Sequence, residues 1–139
     1  MINNRYKIEQ LIPQRYPMLL VDSLVSADDR QCITSYTVKD DAELVQYGFL
    51  TEPGIIEHMA QSASSLAGFK ALENGATEPP LGMIGEVKNF HLFFLPRKGQ
   101  QLRTEVEMGI TEGDITNVTA RTYAGERMIA SSSFKIVIK

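Results

Sequence analysis

The chain has 139 residues, of which 43% are hydrophobic, and a formal net charge of −3, so it is long enough for one domain with a single core, predicted over residues 1–139. Its positive charges are dispersed, which argues against nucleic-acid binding, and no apolar run approaches membrane-spanning length. The single cysteine, Cys32, allows no intrachain disulfide, and the N-terminus lacks an apolar signal core, so we expect a cytoplasmic protein.

The first elements predicted are a short helix and a hairpin. Residues 6–12 predict a short helix that ends at Pro13, and Met18 to Val25 predict a strand. A polar turn follows at residues 27–30. Gln31 to Val38 then alternate in the manner of a second strand, so the two strands are expected to pair as a hairpin.

A long apolar helix is the central feature of the sequence. Residues 39–51 show no regular pattern, and Pro53-Gly54 then begin a helix that is expected to run to about Leu72. Asn74-Gly75 end it, in keeping with the residue preferences at helix C-termini. Because this helix is apolar on most sides, we expect it to be buried.

The second half of the chain predicts strands separated by tight turns. Glu112-Gly113-Asp114 and Ala124-Gly125-Glu126 have the composition of turns between antiparallel strands. In the strand that begins at Leu102, alternate residues as far as Ile110 are expected to share one face. The four predicted strands cover residues 82–94, 102–110, 115–123 and 128–138. These patterns indicate an α+β fold in which one helix packs on an antiparallel sheet.

Three segments carry a resemblance to a known family. The segment from Leu11 to Asp22 reads LIPQRYPMLLVD, with Gln14 in place of a histidine in the similar opening LPHRYPFLLVD. The helix contains Glu57-His58-Met59-Ala60-Gln61, similar to Glu-x-Met-Ala-Gln, and Phe90 to Gly99 form a weaker match. The chain resembles the 3-hydroxyacyl-(acyl carrier protein) dehydratases of fatty acid synthesis, the FabZ type.

This resemblance implies a hotdog fold, in which an antiparallel sheet wraps around one long central helix. It further implies dehydration of a 3-hydroxyacyl chain in fatty acid or related acyl-chain synthesis, with an acyl carrier protein thioester as partner and no cofactor. Members of the family use a histidine and a Glu or Asp that are contributed across a dimer interface. We therefore expect a homodimer or a heteromer with a related hotdog subunit.

The sequence departs from the family where the catalytic histidine is expected. The loop before the helix, Gln46 to Gly54, contains no histidine, and Gly48 falls roughly where the histidine of the family lies. Two explanations remain open. Either His58 or His91 supplies the base from a partner subunit, or this chain pairs with a homologue that carries the histidine and contributes only part of the site.

Glu57 and His58 are the catalytic candidates. A first-turn glutamate can simply be solvated near the helix N-terminus, whereas the resemblance implies that Glu57 protonates the departing hydroxyl. Gln61 lies one turn later and could orient Glu57 by a hydrogen bond. His58 points about 100° away from Glu57 around the helix, so a packed or interface histidine is the favoured interpretation.

Four residues are predicted to contact substrate. They are Gly54, whose neighbouring backbone amides could hold a thioester oxygen, Gln61, Phe49 and His91. Gly54 is equally explained by a tight helix entry, and Phe49 is an anchor of the loop by resemblance. His91 flanks the acyl tunnel by resemblance, although a surface or interface histidine is the simpler interpretation.

Two other functions remain possible from the sequence. A thioesterase of the same fold could use Glu57 alone to activate water. A non-catalytic acyl-binding subunit would explain the missing histidine. No metal site is predicted, because two isolated histidines and one cysteine do not have ligand spacing.

Overall fold

The computed structural model describes residues 1–138. The elements are, in chain order, β1 (Ile2–Asn3), α1 (Ile8–Leu11), β2 (Ser23–Ala27), β3 (Gln31–Thr37), β4 (Val45–Gln46), β5 (Phe49–Leu50), α2 (Glu52–Glu73), β6 (Gly82–Leu92), β7 (Gln101–Glu112), β8 (Ile115–Ala124) and β9 (Arg127–Ile138).

A seven-stranded antiparallel sheet forms most of the fold, in the order β1-β2-β3-β7-β8-β9-β6. β7, β8 and β9 are a meander, and the turns between them contain Gly113 and Gly125, each with a φ of 62°. Glycine adopts this left-handed conformation without a steric penalty. The predicted meander and its two turns are confirmed, and β6 lies at an edge of the sheet.

α2 packs against one face of this sheet and contacts β2, β3 and β6 to β9. The core lies between α2 and the inward-facing residues, which include Tyr36, Leu102, Val106 and Phe134. One residue departs from the predicted alternation: Ile110 is 68% exposed, because the pairing of β7 with β8 shifts at a bulge between Met108 and Thr111. The predicted α+β fold, a sheet around one long helix, is confirmed.

The segment before β2 is not the strand predicted from Met18. β2 begins at Ser23, because backbone groups of Met18 and Leu20 bond to side chains of α2 instead of to another strand. Gln61 Nε2 donates to the Met18 carbonyl at 2.7 Å, and the Leu20 amide donates to Gln61 Oε1 at 2.7 Å. Pattern alone cannot distinguish a strand from an extended segment that is held by a helix.

The region predicted to be irregular, residues 39–51, contains the small hairpin β4–β5. Its turn residues Tyr47 and Gly48 have φ values of 53° and 80°, as a tight primed turn requires. The hairpin is tied to the chain beyond β6: the Leu50 amide donates to Pro96, and the Lys98 amide donates to Gly48. This attachment fixes the hairpin beside the far end of the edge strand.

Within residues 1–138, no helix combines the length and apolarity that a membrane crossing requires.

Candidate active site

Glu57 lies in the second turn of α2, where it is partly buried. It faces a cavity of about 250 Å³ between α2, the start of β6 and the end of β9. The cavity is lined by Gln14, Glu57, Ala60, Gln61, Ser64, Gly82, Met83, Ile84 and Ile136. Of the residues predicted to form the site, the structure brings Glu57 and Gln61 together here.

The polar wall of this cavity comes from one face of α2. Glu57, Gln61 and Ser64 are spaced i, i+4 and i+7, which places them along one helix face. Gln61 Nε2 lies 3.4 Å from Glu57 Oε1, so the amide is in position to orient the carboxylate. The opposite wall is apolar, so the cavity can hold a hydrocarbon chain beside one group that exchanges protons.

Gly82 permits the close approach of β6 to α2 at this cavity. A Cβ atom at Gly82 would lie 2.8 Å from Ser64 Oγ, which is below any ordinary contact distance. A side chain here would therefore push against Ser64 and narrow the cavity.

His58 is fully buried on the side of α2 that faces the sheet, and it does not line the Glu57 cavity. Its Nδ1 lies 2.7 Å from the Leu20 carbonyl, and its Nε2 lies 2.7 Å from Thr104 Oγ1. Burial lowers the pKa of His58 to about 4. Both ring nitrogens thus have partners within the same chain, and the ring is neutral at pH 7.

The other predicted contacts lie apart from the Glu57 cavity. Gly54 is buried, and a Cβ atom there would lie 2.5 Å from Leu50 Cδ1, so a larger residue would have to displace the Leu50 side chain. Phe49 lies under Arg97, whose guanidinium carbon is 5.6 Å from the ring centroid, and it lines a separate groove. His91 is exposed and pairs with Ser131, between the inward-facing Ala130 and Ser132, so it lies on the outer face of the sheet.

Sequence reasoning missed several cavity residues. Ser64 could have been found, because it follows Gln61 by three positions on the helix face of Glu57. Gln14 lies in the segment that resembles the family, but nothing local indicates that it reaches α2. Gly82, Ile84 and Ile136 come to the cavity only through the pairing of β6 with β9.

Among residues 1–138, no three His, Cys, Asp or Glu side chains lie close enough together to hold a metal ion.

Comparisons with known proteins agree with this fold. The solved dehydratase heterocomplex ApeI:P from Xenorhabdus doucetiae has the same fold, with a TM-score of 0.90 and 16% identity over 98% of this chain and 93% of that chain. The FabZ 3-hydroxyacyl-[acyl-carrier-protein] dehydratase of Sulfurovum sp. is 27% identical over 99% of this chain and 98% of its own length. The FabZ of Bacillus thuringiensis is 32% identical over 81% of this chain and 79% of its own length.

The fold and these relatives define a hotdog protein of the 3-hydroxyacyl-thioester dehydratase class, as the sequence predicted. The family described as ApeP-like, ApeP dehydratase, matches residues 6–138, and the chain belongs to that family.

Proposed function

We propose that this chain is one subunit of a heteromeric 3-hydroxyacyl-acyl-carrier-protein dehydratase, in which it supplies Glu57 and a related hotdog subunit supplies the base. The base removes the C2 proton of the substrate, and the released electron pair forms the C2–C3 double bond. The C3–O bond breaks as Glu57 gives its proton to the departing hydroxyl, which leaves as water.

One observation carries this proposal: among residues 1–138, the Glu57 cavity has a carboxylic acid but no histidine or lysine in its lining. His58 is buried between α2 and the sheet, and His91 lies on the face of the sheet that points away from α2. A general acid alone cannot remove the C2 proton, so the base has to come from another chain. One solved protein of the same fold is a dehydratase heterocomplex, which supports a partner that is a second hotdog protein.

The edge strand indicates how that partner would reach Glu57. When two edge strands pair about a two-fold axis they run antiparallel, so the start of one lies beside the end of the other. The Glu57 cavity adjoins the start of β6, whereas the β4–β5 hairpin is bound beyond the end of β6. The corresponding hairpin of the partner would therefore come to the Glu57 cavity.

The same geometry makes the two sites of a heterodimer unequal. The Glu57 site receives the partner's hairpin, while the site that contains the partner's own helix receives residues 45–50 of this chain, which include no histidine. A partner that carries the loop histidine would thus give one complete site for each heterodimer. A homodimer of this chain would have none.

The test is a mass-spectrometric assay of 3-hydroxyacyl-carrier-protein thioesters with this chain alone, and with a related hotdog subunit that carries the loop histidine. We expect enoyl product only from the complex. Glu57→Gln should lower the rate by at least about 100-fold, because an amide cannot donate the proton.

Glu52→Gln is the matched control, since Glu52 is an exposed glutamate in the first turn of the same helix. It should leave the rate unchanged. Free acid instead of enoyl product would identify a thioesterase and contradict the proposal. A complex that yields neither product would indicate a non-catalytic acyl-binding subunit.

A further inference from the structure

Two buried side chains of α2 hold the segment that leads into β2. His58 Nδ1 bonds to the Leu20 carbonyl, and Gln61 bonds both to the Leu20 amide and to the Met18 carbonyl, each at 2.7 Å. Both side chains are almost wholly buried. Three backbone groups of this segment, Met18 to Leu20, are therefore bonded to α2 and not to a neighbouring strand.

The protons in this network can be assigned from the chemistry of the partners. The Leu20 carbonyl can only accept, so His58 Nδ1 carries the proton and Nε2 accepts from the Thr104 hydroxyl. Thr122 Oγ1 lies 2.7 Å from Thr104 Oγ1 and donates to it in turn. His58 is thereby fixed against β7 and β8 at one nitrogen and against Leu20 at the other.

Gln61 is fixed in the same way. The Leu20 amide can only donate, and the Met18 carbonyl can only accept, so the orientation of the Gln61 carboxamide is determined. The remaining N–H of Gln61 points to Glu57 Oε1, 3.4 Å away. A displacement of Leu20 would free the carboxamide to rotate and would remove this contact with Glu57.

We propose that His58 is a positioning residue, which fixes the direction of the Glu57 carboxylate through the Leu20 backbone and Gln61. His58 touches neither the cavity nor Glu57, so it acts at a distance and takes no part in proton transfer to the substrate. Its catalytic effect rests on the dehydratase function proposed above.

Two substitutions of His58 separate its two bonds. In His58→Asn the amide nitrogen can occupy the place of Nδ1 and keep the bond to Leu20. In His58→Gln the longer side chain can reach Thr104, but it loses Leu20. Both variants remove the ring and its stacking on Tyr36, so they share the loss of packing.

We expect His58→Gln to lower kcat of the dehydratase complex by about tenfold or more with little change in KM, because misplacement of a reacting group reduces the rate. Hydrogen exchange of the Leu20 amide should accelerate, and the side-chain amide signals of Gln61 should move to the positions of a free amide. His58→Asn should keep kcat and both signals close to those of the wild type. Equal effects of the two substitutions, or an unchanged kcat in His58→Gln, would overturn the proposal.

Ser62→Ala is the matched control for lost stability. It removes buried hydrogen bonds to Thr34 Oγ1 and to the His58 carbonyl, both at 2.8 Å, without touching Leu20 or the cavity. Its kcat and its Leu20 exchange should be unchanged. A loss of kcat as large as that of His58→Gln would attribute the effect to general destabilisation and reject the inference.

Gln61→Met provides a second route if His58→Gln does not fold. It removes the acceptor of the Leu20 amide and should both lower kcat and accelerate Leu20 exchange. If the wild-type complex forms no enoyl product, the proposed function fails, whereas the Leu20 exchange and the Gln61 signals still decide whether His58 positions Gln61.

Discussion

At the scale of single residues, His58 links the stability of the fold to acidic pH. Its ring is desolvated between α2 and the sheet, and its neutral form satisfies both hydrogen-bond partners. Protonation would place a charge at a fully buried position, which lowers the pKa to about 4, compared with about 6.5 for an exposed histidine. The fold therefore resists protonation of this residue.

The first prediction concerns stability at acidic pH. Between pH 6.5 and 4 the unfolded chain binds a proton at His58 that the folded chain does not, so the free energy of unfolding falls as the pH falls. The contribution of His58 is about 1.4 kcal/mol per pH unit, or about 3 kcal/mol in total. Urea unfolding at several pH values should show this decrease in the wild type.

The comparison with His58→Asn isolates this contribution. Asparagine does not titrate, so the difference in unfolding free energy between wild type and variant should shrink as the pH falls from 7 to 4.5. Carboxylates affect both proteins alike and cancel in the difference. Parallel curves would show that His58 is protonated in the folded protein at the same pH as in the unfolded chain.

At the scale of elements, the crossing of α1 and α2 depends on Gly68. A Cβ atom at this position would lie 2.1 Å from the Leu11 carbonyl oxygen, which is backbone and cannot rotate away. The two helices approach this closely only because one contact residue has no side chain. Helix propensity alone would favour alanine here by about 1 kcal/mol.

The second prediction is that Gly68→Ala destabilises the protein in spite of this gain in propensity. Overpacking typically costs about 1–3 kcal/mol, and contact with backbone places this case at the upper end. We expect a net loss of about 2 kcal/mol in the free energy of unfolding, measured with urea. Gly85→Ala is the control, because its Cβ atom would meet neighbours only at 3.7 Å. If Gly68→Ala were more stable than the wild type, the close approach of α1 and α2 at Gly68 would be wrong.

At the scale of the whole molecule, the uncovered edge of the sheet is the main feature. β6 pairs with β9 on one side only, and Val87 faces inward opposite the buried Phe134 yet remains 38% exposed. α2 does not cover this end of the inner face. An unpaired edge strand with apolar residues is a common site of association with the sheet of another chain.

The third prediction is that Val87→Lys weakens association while the single chain remains folded. A lysine on an edge strand opposes strand pairing, because its charge would be desolvated in the interface. Light scattering after size exclusion should show a shift towards the monomer, with or without the partner subunit. Ile110→Lys is the matched control, because Ile110 is exposed on β7, away from this edge. If the two substitutions weakened association equally, β6 would be excluded as the interface.

Local signals explain why much of this fold could be predicted from the sequence. Pro53 and Asn74 mark the ends of α2, and the glycines at 113 and 125 mark the hairpin turns, because each relies on the conformational preference of one or two residues. The candidate Glu57 was likewise found from its place in an apolar helix. Such features need no knowledge of distant partners.

Other features depend on contacts between distant segments. The stretch from Met18 to Leu20 has the composition of a strand, but the Met18 carbonyl and both backbone groups of Leu20 bond to His58 and Gln61, some 40 residues away in the chain. Ile110 follows the alternation of its strand until a bulge turns it outwards. Neither outcome has a local signal.

From the sequence alone came the long helix, the antiparallel meander, the hotdog architecture by resemblance, the absence of a histidine in the loop before α2 and the choice of Glu57 as the candidate acid. Only the tertiary structure decided that His58 is enclosed against the sheet, that His91 lies on the outer face, and that Gln14 and the start of β6 complete the cavity. The physical reason is that side-chain periodicity is set by neighbouring residues, whereas burial and cavity walls are set by the packing of residues that are far apart in the chain.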